Sequence, residues 1–391
     1  QRTSPSDRRA GGGGHHVGGH RPGETMSRVI LPVDRLADLW PARLRGRRTG
    51  ALLHAASVNA SLRPTLSVLE EMSAPGTIEL AALFGPQHGF ETTTQDNMIE
   101  WTGYRHPRLG VPVHSLYGDH RKPTDEMLEG LDVLFVDLVD IGSRYYTFVW
   151  TMLLCLQAAA ARGIAVVVAD RPNPINGVTT EGRPQEADYL SFVGLHPLPV
   201  RHGKTIGELA LQCREELGIA VDLTVLPIEG WNRAHYHEET GLPWVMPSPN
   251  MPTPGTAVVY PGMCLLEGTN ISEGRGTTRP FELFGAPWID GEKLTAALAA
   301  GRLPGVHFRA AAFEPGFQKH AGKICRGAQM HVTDRHSFQP LRTALEIIRT
   351  VRDMYPDDFA WKQPPYEYEH KKLPIEILCG RPLESIFDET L

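Results

Sequence analysis

A chain of 391 residues is long enough for two domains, each burying its own core. Its hydrophobic share of 41% and charged share of 21% are those of an ordinary globular protein. A net charge of −6 excludes a basic nucleic-acid footprint, so any anionic ligand must be held by local arginines.

The five cysteines, Cys155, Cys213, Cys264, Cys325 and Cys379, are odd in number and form no C-x-x-C pair. That pattern argues against a disulfide framework or a zinc knuckle and for reduced, buried thiols. The longest apolar run, around residues 151–161, is interrupted by Gln157 and falls short of the roughly 18 residues of a membrane span. No membrane partner is therefore expected. Residues 1–27 are read as a disordered N-terminal extension, with Gly11–Gly14 and three histidines but no apolar signal core. Met26 reads as a natural start, and cytoplasmic residence is the expectation.

In chain order, 50–58 reads as a strand and 62–72 as a helix with Pro64 in its first turn, where proline is tolerated. Strands follow at 78–84 and 111–117, and Thr124 with Asp125 and Glu126 marks a helix start. A β-α-β unit comes next: an apolar strand 133–138, a helix 146–161 closed by Gly163, and an all-apolar strand 165–169. Thr205 and Glu208 form a capping box for a helix over 206–217. Residues 221–265 are proline-rich without helical period. A helix is predicted near 291–300, strands at 307–313 and 329–333, and a helix at 341–354. The fold class is α/β: a Rossmann-like, doubly wound parallel-sheet domain over 28–220, followed by a smaller α+β domain over 221–391 that contributes to the cleft.

Open parallel sheets bind ligands beyond the carboxyl ends of their strands. Those ends carry Gln87 and His88, then Asp140, Arg144, Tyr145 and Tyr146, then Asp170 and Asn173. The first strand runs into His54-Ala55-Ala56-Ser57 with no G-x-G-x-x-G, which argues against a dinucleotide site. A second dense region runs from Glu267 to Glu282 and holds Asn270, Glu273, Arg275 and Arg279 in a glycine-rich segment. Among the 17 histidines, His88 and His202 stand in glycine-flanked turns. No H-E-x-x-H occurs, and the single H-x-H, His235-Tyr236-His237, is a lone alternating pair, so no metal is expected.

Several ordered blocks make the chain recognisable. They include Gly85-Pro86-Gln87-His88-Gly89, Asp140-Ile141-Gly142-Ser143-Arg144-Tyr145-Tyr146, Asp170-Arg171-Pro172-Asn173-Pro174 and Ser248-Pro249-Asn250-Met251-Pro252. With the Glu267–Trp288 stretch they resemble the DUF1343 family, which contains exo-β-N-acetylmuramidases, and the resemblance spans about residues 28–391. It implies a glycoside hydrolase that releases terminal, non-reducing N-acetylmuramic acid from peptidoglycan fragments without a cofactor. One position departs: many members have Glu where this chain has Gln87, and an amide exchanges no proton usefully at neutral pH.

Glycosidases need two carboxyl groups, and Glu267 and Glu273 lead the candidates, with Asp140 third and His88 as an orienting or assisting group. Arg275 or Arg279 suits the lactyl carboxylate of muramic acid, and Tyr145 and Tyr146 suit the sugar ring. Asn97, Asn173 and Asn270 suit hydroxyl or acetamido groups; Gln87, Arg144, Asp170, His202 and Asn250 complete the expected substrate-binding set. All of this requires the sheet mouth and the segment near residue 270 to share one pocket. Gln87 keeps a non-catalytic or altered-specificity sugar-binding homologue open as the alternative, and sheet topology alone suggests an NAD-dependent oxidoreductase.

Overall fold

The computed structural model describes residues 29–387 except Asn97. The expected extension at 1–27 and the expected ligand Asn97 therefore lie outside the described residues. The first half of the chain supplies β1 (Arg47–Leu52), α1 (Thr65–Ser73), β2 (Ile78–Gly85), β3 (Tyr104–Arg105), β4 (Pro112–Ser115) and β5 (Val133–Val136). Then come α2 (Phe148–Arg162), β6 (Ala165–Ala169), α3 (Ile206–Glu216) and β7 (Leu223–Leu226). These strands form one sheet in the order β3-β4-β2-β1-β5-β6-β7. Every pairing is parallel except the short β3–β4 edge.

Alternation along the strands sorts side chains to the two faces, and both faces are covered. Leu52, Phe84, Leu134, Val136, Val166 and Val168 pack with α2 and α3 on one side. Ala51, Leu83, Val133, Phe135 and Val167 pack on the other with Leu31, Trp40, Leu69 and Met72. This two-sided burial is why β5 and β6 read as uninterrupted apolar runs. Strand order reverses at β1, between β2 and β5, which opens a crevice beyond their carboxyl ends.

The second half supplies α4 (Pro254–Met263), β8 (Leu283–Ala286), α5 (Gly291–Ala300), β9 (Val306–Phe313), β10 (Cys325–Val332), α6 (Pro340–Met354) and α7 (Pro374–Cys379). Its three strands form an antiparallel sheet in the order β8-β10-β9. Among the described residues no helix is long and apolar enough to cross a membrane.

Three expectations change. Residues 125–130 form turns rather than a helix, although Thr124 Oγ1 does accept Met127 N at 3.3 Å. Gly130, at φ 71°, reverses the chain before a helix can propagate. The strand β7, beyond the boundary expected at 220, pairs with β6 in the large sheet. The proline-rich stretch contains α4, with Pro254 in its first turn and Thr253 Oγ1 capping Thr256 N at 3.1 Å. Every residue from Thr256 to Met263 is buried, so α4 has no polar face and hence no helical period to read. Gly262 lets α6 sit against it: a Cβ there would lie 1.9 Å from Pro340 O.

The capping box forms as expected, with Glu208 N on Thr205 Oγ1 and Thr205 N on Glu208 Oε2. Asp170, just past β6, completes that helix start by accepting Gly207 N at 2.8 Å and Thr205 Oγ1 at 2.9 Å. Burial pushes its pKa from 3.8 to about 6 against those hydrogen bonds. The folded chain thus keeps a proton that the unfolded chain has released, so this contribution is complete below pH 3.8 and is lost as pH rises through about 6. Stability should fall by about 3 kcal/mol across that window from this group. Thermal unfolding from pH 4 to 6.5 checks it: Asp170→Asn should flatten the slope, and an unchanged slope would rule the contribution out.

Candidate active site

The crevice at the strand reversal is floored by buried polar groups that satisfy one another. His54, past β1, accepts Val139 N on Nε2 at 3.1 Å and meets Pro247 O through Nδ1 at 3.2 Å. Burial pushes its pKa down to about 3, so it is a neutral strut. Asp137, past β5, is fully buried and takes Thr65 Oγ1 at 2.6 Å and Arg171 Nη2 at 2.8 Å.

Above this floor lies a pocket with walls from both halves. The sheet side contributes Gln87, His88, Tyr145, Tyr146 and Thr147, and the strap 248–251 contributes Ser248 and Asn250. The opposite wall holds Tyr260, Glu267, Arg275, Tyr366 and Glu367. The sheet mouth and the acidic segment thus share one cavity.

Two carboxyls in this pocket sit in opposed environments. Glu267 lies in a tight turn after α4 that rests on α7, where Gly268 meets Ile375. Its Oε1 accepts Arg275 Nη2 at 2.7 Å and Nε at 3.2 Å, and its Oε2 accepts Tyr366 Oη at 2.9 Å. Burial opposes its charge, but the Arg275 guanidinium and these hydrogen bonds prevail and hold the carboxyl below its ordinary range. Glu367 is also buried, and both its oxygens accept from Tyr117 Oη, at 3.0 and 2.9 Å. Here burial wins over Tyr117 and Arg121, and the nearby Glu267 charge adds to it, so the pKa rises to about 7.

Gln87 links the sheet to this acid. Thr147 Oγ1 donates to Gln87 Oε1 at 2.6 Å, which leaves the amide NH2 to donate to Glu367. His88, in a left-handed conformation at φ 71°, donates from Nδ1 to Thr94 O at 2.8 Å. Its Nε2 is therefore an acceptor, and burial pushes its pKa down to about 4.

Behind Arg275 a second glutamate is locked away. Glu273 is buried, 3.4 Å from Arg275 Nε and 2.6 Å from Lys319 Nζ. Lys319 also donates to Leu266 O at 2.7 Å and Thr269 O at 3.2 Å, tying the turn that carries Glu267. Burial lowers the Lys319 pKa, with Glu273 opposing. The neighbouring Gln318 donates to Asp96 Oδ1, and His320 Nε2 lies 2.8 Å from Asn270 O. Three successive side chains thus stitch the loop past β9 to both walls.

Of the residues expected at the site, Gln87, His88, Tyr145, Tyr146, Asn250, Glu267 and Arg275 line the pocket. Tyr145 spends its hydroxyl on Pro261 O and packs edge-on to Tyr260, and Asn250 Nδ2 is held by Gln95 O at 2.7 Å. The other described ones lie outside its lining. Glu273 is committed to Lys319 and Arg275. Asp140 accepts Gly142 N at 2.8 Å and pairs with His202 Nε2 at 3.1 Å, so both serve the floor. Arg144 donates to three carbonyls, those of Arg183, Leu198 and Leu378, and joins distant segments. Asp170 caps α3, and Asn173 forms a turn with Ile175 N at 3.0 Å while donating to Lys204 O at 2.9 Å. Asn270 bonds Asp358 O and Ala360 N, and Arg279 pairs with Glu282 on the exposed surface. In each case a backbone group or counter-charge has claimed the side chain.

Glu367, Tyr366, Tyr117, Thr147 and Lys319 were not singled out from the sequence. The only signal was local: acids alternating with tyrosines in Tyr366-Glu367-Tyr368-Glu369 after two prolines.

Known proteins match over nearly the whole described chain. The family model of exo-β-N-acetylmuramidase NamZ matches in its N-terminal part over residues 49–255 and in its C-terminal part over 258–384. The peptidoglycan β-N-acetylmuramidase NamZ of Bacillus subtilis is 47% identical over 332 residues, which cover 85% of this chain and 79% of that protein. A crystal structure of a DUF1343 family protein from Bacteroides fragilis superposes with a TM-score of 0.80 at 32% identity, covering 92% of this chain and 91% of the other. A second DUF1343 protein from the same organism gives 0.67 at 26% identity, covering 93% and 92%. The chain belongs to the exo-β-N-acetylmuramidase NamZ family.

Proposed function

We propose that this protein is a glycoside hydrolase that releases terminal, non-reducing N-acetylmuramic acid from peptidoglycan fragments, with Glu367 as proton donor and Glu267 as its anionic partner. The observation that carries the assignment is the opposed surroundings of two carboxyls in one pocket, Glu267 on the Arg275 guanidinium and Glu367 buried on the Tyr117 hydroxyl. Environments that push paired acids apart in pKa define a donor and an anion. Glu367, at about 7, keeps a substantial protonated fraction at neutral pH. It delivers that proton to the glycosidic oxygen as the bond to the anomeric carbon breaks. Glu267, held ionised by Arg275, faces the positive charge that develops on the sugar, and a water molecule then bonds to the anomeric carbon and gives up the proton that restores the acid form of Glu367.

Gln87 fits this division of labour. A glutamate there would compete with Glu367 for one proton, whereas the amide donates to Glu367 and fixes its direction. Gln87 also favours the second reading, a homologue that binds muramic acid without cleaving it. Cytoplasmic action is part of the proposal, supported by five cysteines that are all buried free thiols. Lys319 and Glu273 support Arg275 from behind and touch no substrate.

Four outcomes test this. Glu367→Gln should cut release of free sugar from a muramic-acid-terminated disaccharide by about 10²–10⁴-fold, read by mass spectrometry; full activity would remove Glu367 from the mechanism. Wild-type protein that binds the disaccharide yet releases nothing would establish the binding-only reading. The donor must be protonated, so kcat/KM should fall as pH rises through about 7, and a rate rising through that range would reverse the assignment. Lys319→Met leaves the Glu273 carboxylate buried without its ammonium, which should cost about 3 kcal/mol in urea unfolding.

A further inference from the structure

The segment 366–369 is a tight turn closed from both ends: Tyr366 N donates to Glu369 O and Glu369 N to Tyr366 O, each at 2.9 Å. Its two central residues, Glu367 and Tyr368, have φ of 44° and 69°. Two left-handed residues in succession are the signature of a turn that normally takes glycine or asparagine. Side-chain sterics disfavour both positions, and such conformations persist where the surroundings over-determine them. Here the turn sends one side chain in and the other out. Glu367 is buried on Tyr117 and Gln87, while Tyr368 is 53% exposed.

One guanidinium couples the two. Arg121 lies 3.7 Å from the Tyr117 ring centroid and 4.4 Å from that of Tyr368. Tyr368 Oη donates to Glu100, whose carboxylate is 3.6 Å from Arg121 Nη2. The tyrosine that holds the acid and the exposed tyrosine next to it are therefore fixed by one cation. An aromatic ring restrained in this way loses little freedom when it is covered.

A proton donor must reach the glycosidic oxygen, so the first ring of the leaving group lies beside the donor, on the side away from the released sugar. We propose that Tyr368, backed by Arg121, is the platform on which the leaving-group pyranose rests. The C–H face of a sugar ring packs on the face of an aromatic ring, and Arg121 and Glu100 hold this exposed ring in place beside the acid. The placement rests on the reading of Glu367 as proton donor.

The test is calorimetric titration of full-length protein in the Glu367→Gln background, which leaves the disaccharide intact. The ligands are a disaccharide with muramic acid at its non-reducing end and free N-acetylmuramic acid. Adding Tyr368→Ala should weaken the disaccharide about five- to tenfold and leave the free sugar within about twofold, while Tyr368→Phe, which keeps the ring on Arg121 and loses only the bond to Glu100, should stay within about twofold of its parent for both ligands. Equal weakening of both ligands makes the turn merely structural and overturns the platform, as does no weakening of either. Hydrolysis persisting at the wild-type rate in the Glu367→Gln background sinks the donor assignment separately, whatever the titrations show.

Discussion

The pocket depends on keeping Glu267 ionised in a place that disfavours charge. Arg275 achieves this with two donors on one oxygen, but a buried guanidinium facing one carboxylate beside a second would leave a net charge. Lys319 answers Glu273, and the four charges cancel. The arrangement is also mechanical. The same ammonium bonds the carbonyls of Leu266 and Thr269, on either side of the turn that presents Glu267. Charge balance and position of the carboxylate are set by one set of contacts, so neither changes without the other.

Glu367 follows the opposite logic. It receives hydroxyl and amide donors but no salt bridge within the cluster that buries it, and desolvation dominates. The pocket that both glutamates line takes one wall from each half of the chain. Gln87, Thr147 and Tyr117 lie at the mouth of the parallel sheet and orient an acid that the other half carries. Both glutamates come from the C-terminal half, and the sheet half supplies the hydroxyl and the amide that hold Glu367.

Many polar residues at the strand ends are spent on the floor beneath. Asp137 with Arg171, Asp140 with His202 and Asp170 with Thr205 are partnered side chains that hold loops in place. A crevice in a buried parallel sheet exposes few polar atoms to ligand, because each buried charge or amide must find a partner within the protein. The density of polar residues there therefore overstates how many meet a substrate. It still marks the end of the sheet at which the pocket lies.

Local pattern determined the architecture. The apolar runs of β5 and β6, the capping box of α3 and the left-handed Gly163 after α2 act within a few residues, so the α/β class was legible directly. The pocket's wall was half legible: the motif blocks held Gln87, His88, Glu267 and Arg275, because these lie beside the glycines and prolines that shape their loops. Only the tertiary structure separated pocket residues from scaffold and revealed α4, whose all-buried surface has no period. Only it brought Glu367 to Tyr117, 250 residues away in sequence, and to Gln87. A carboxyl's protonation state is decided by the surroundings that remove water and supply or withhold a counter-charge. Those surroundings come from distant segments, and no reading along the chain contains them.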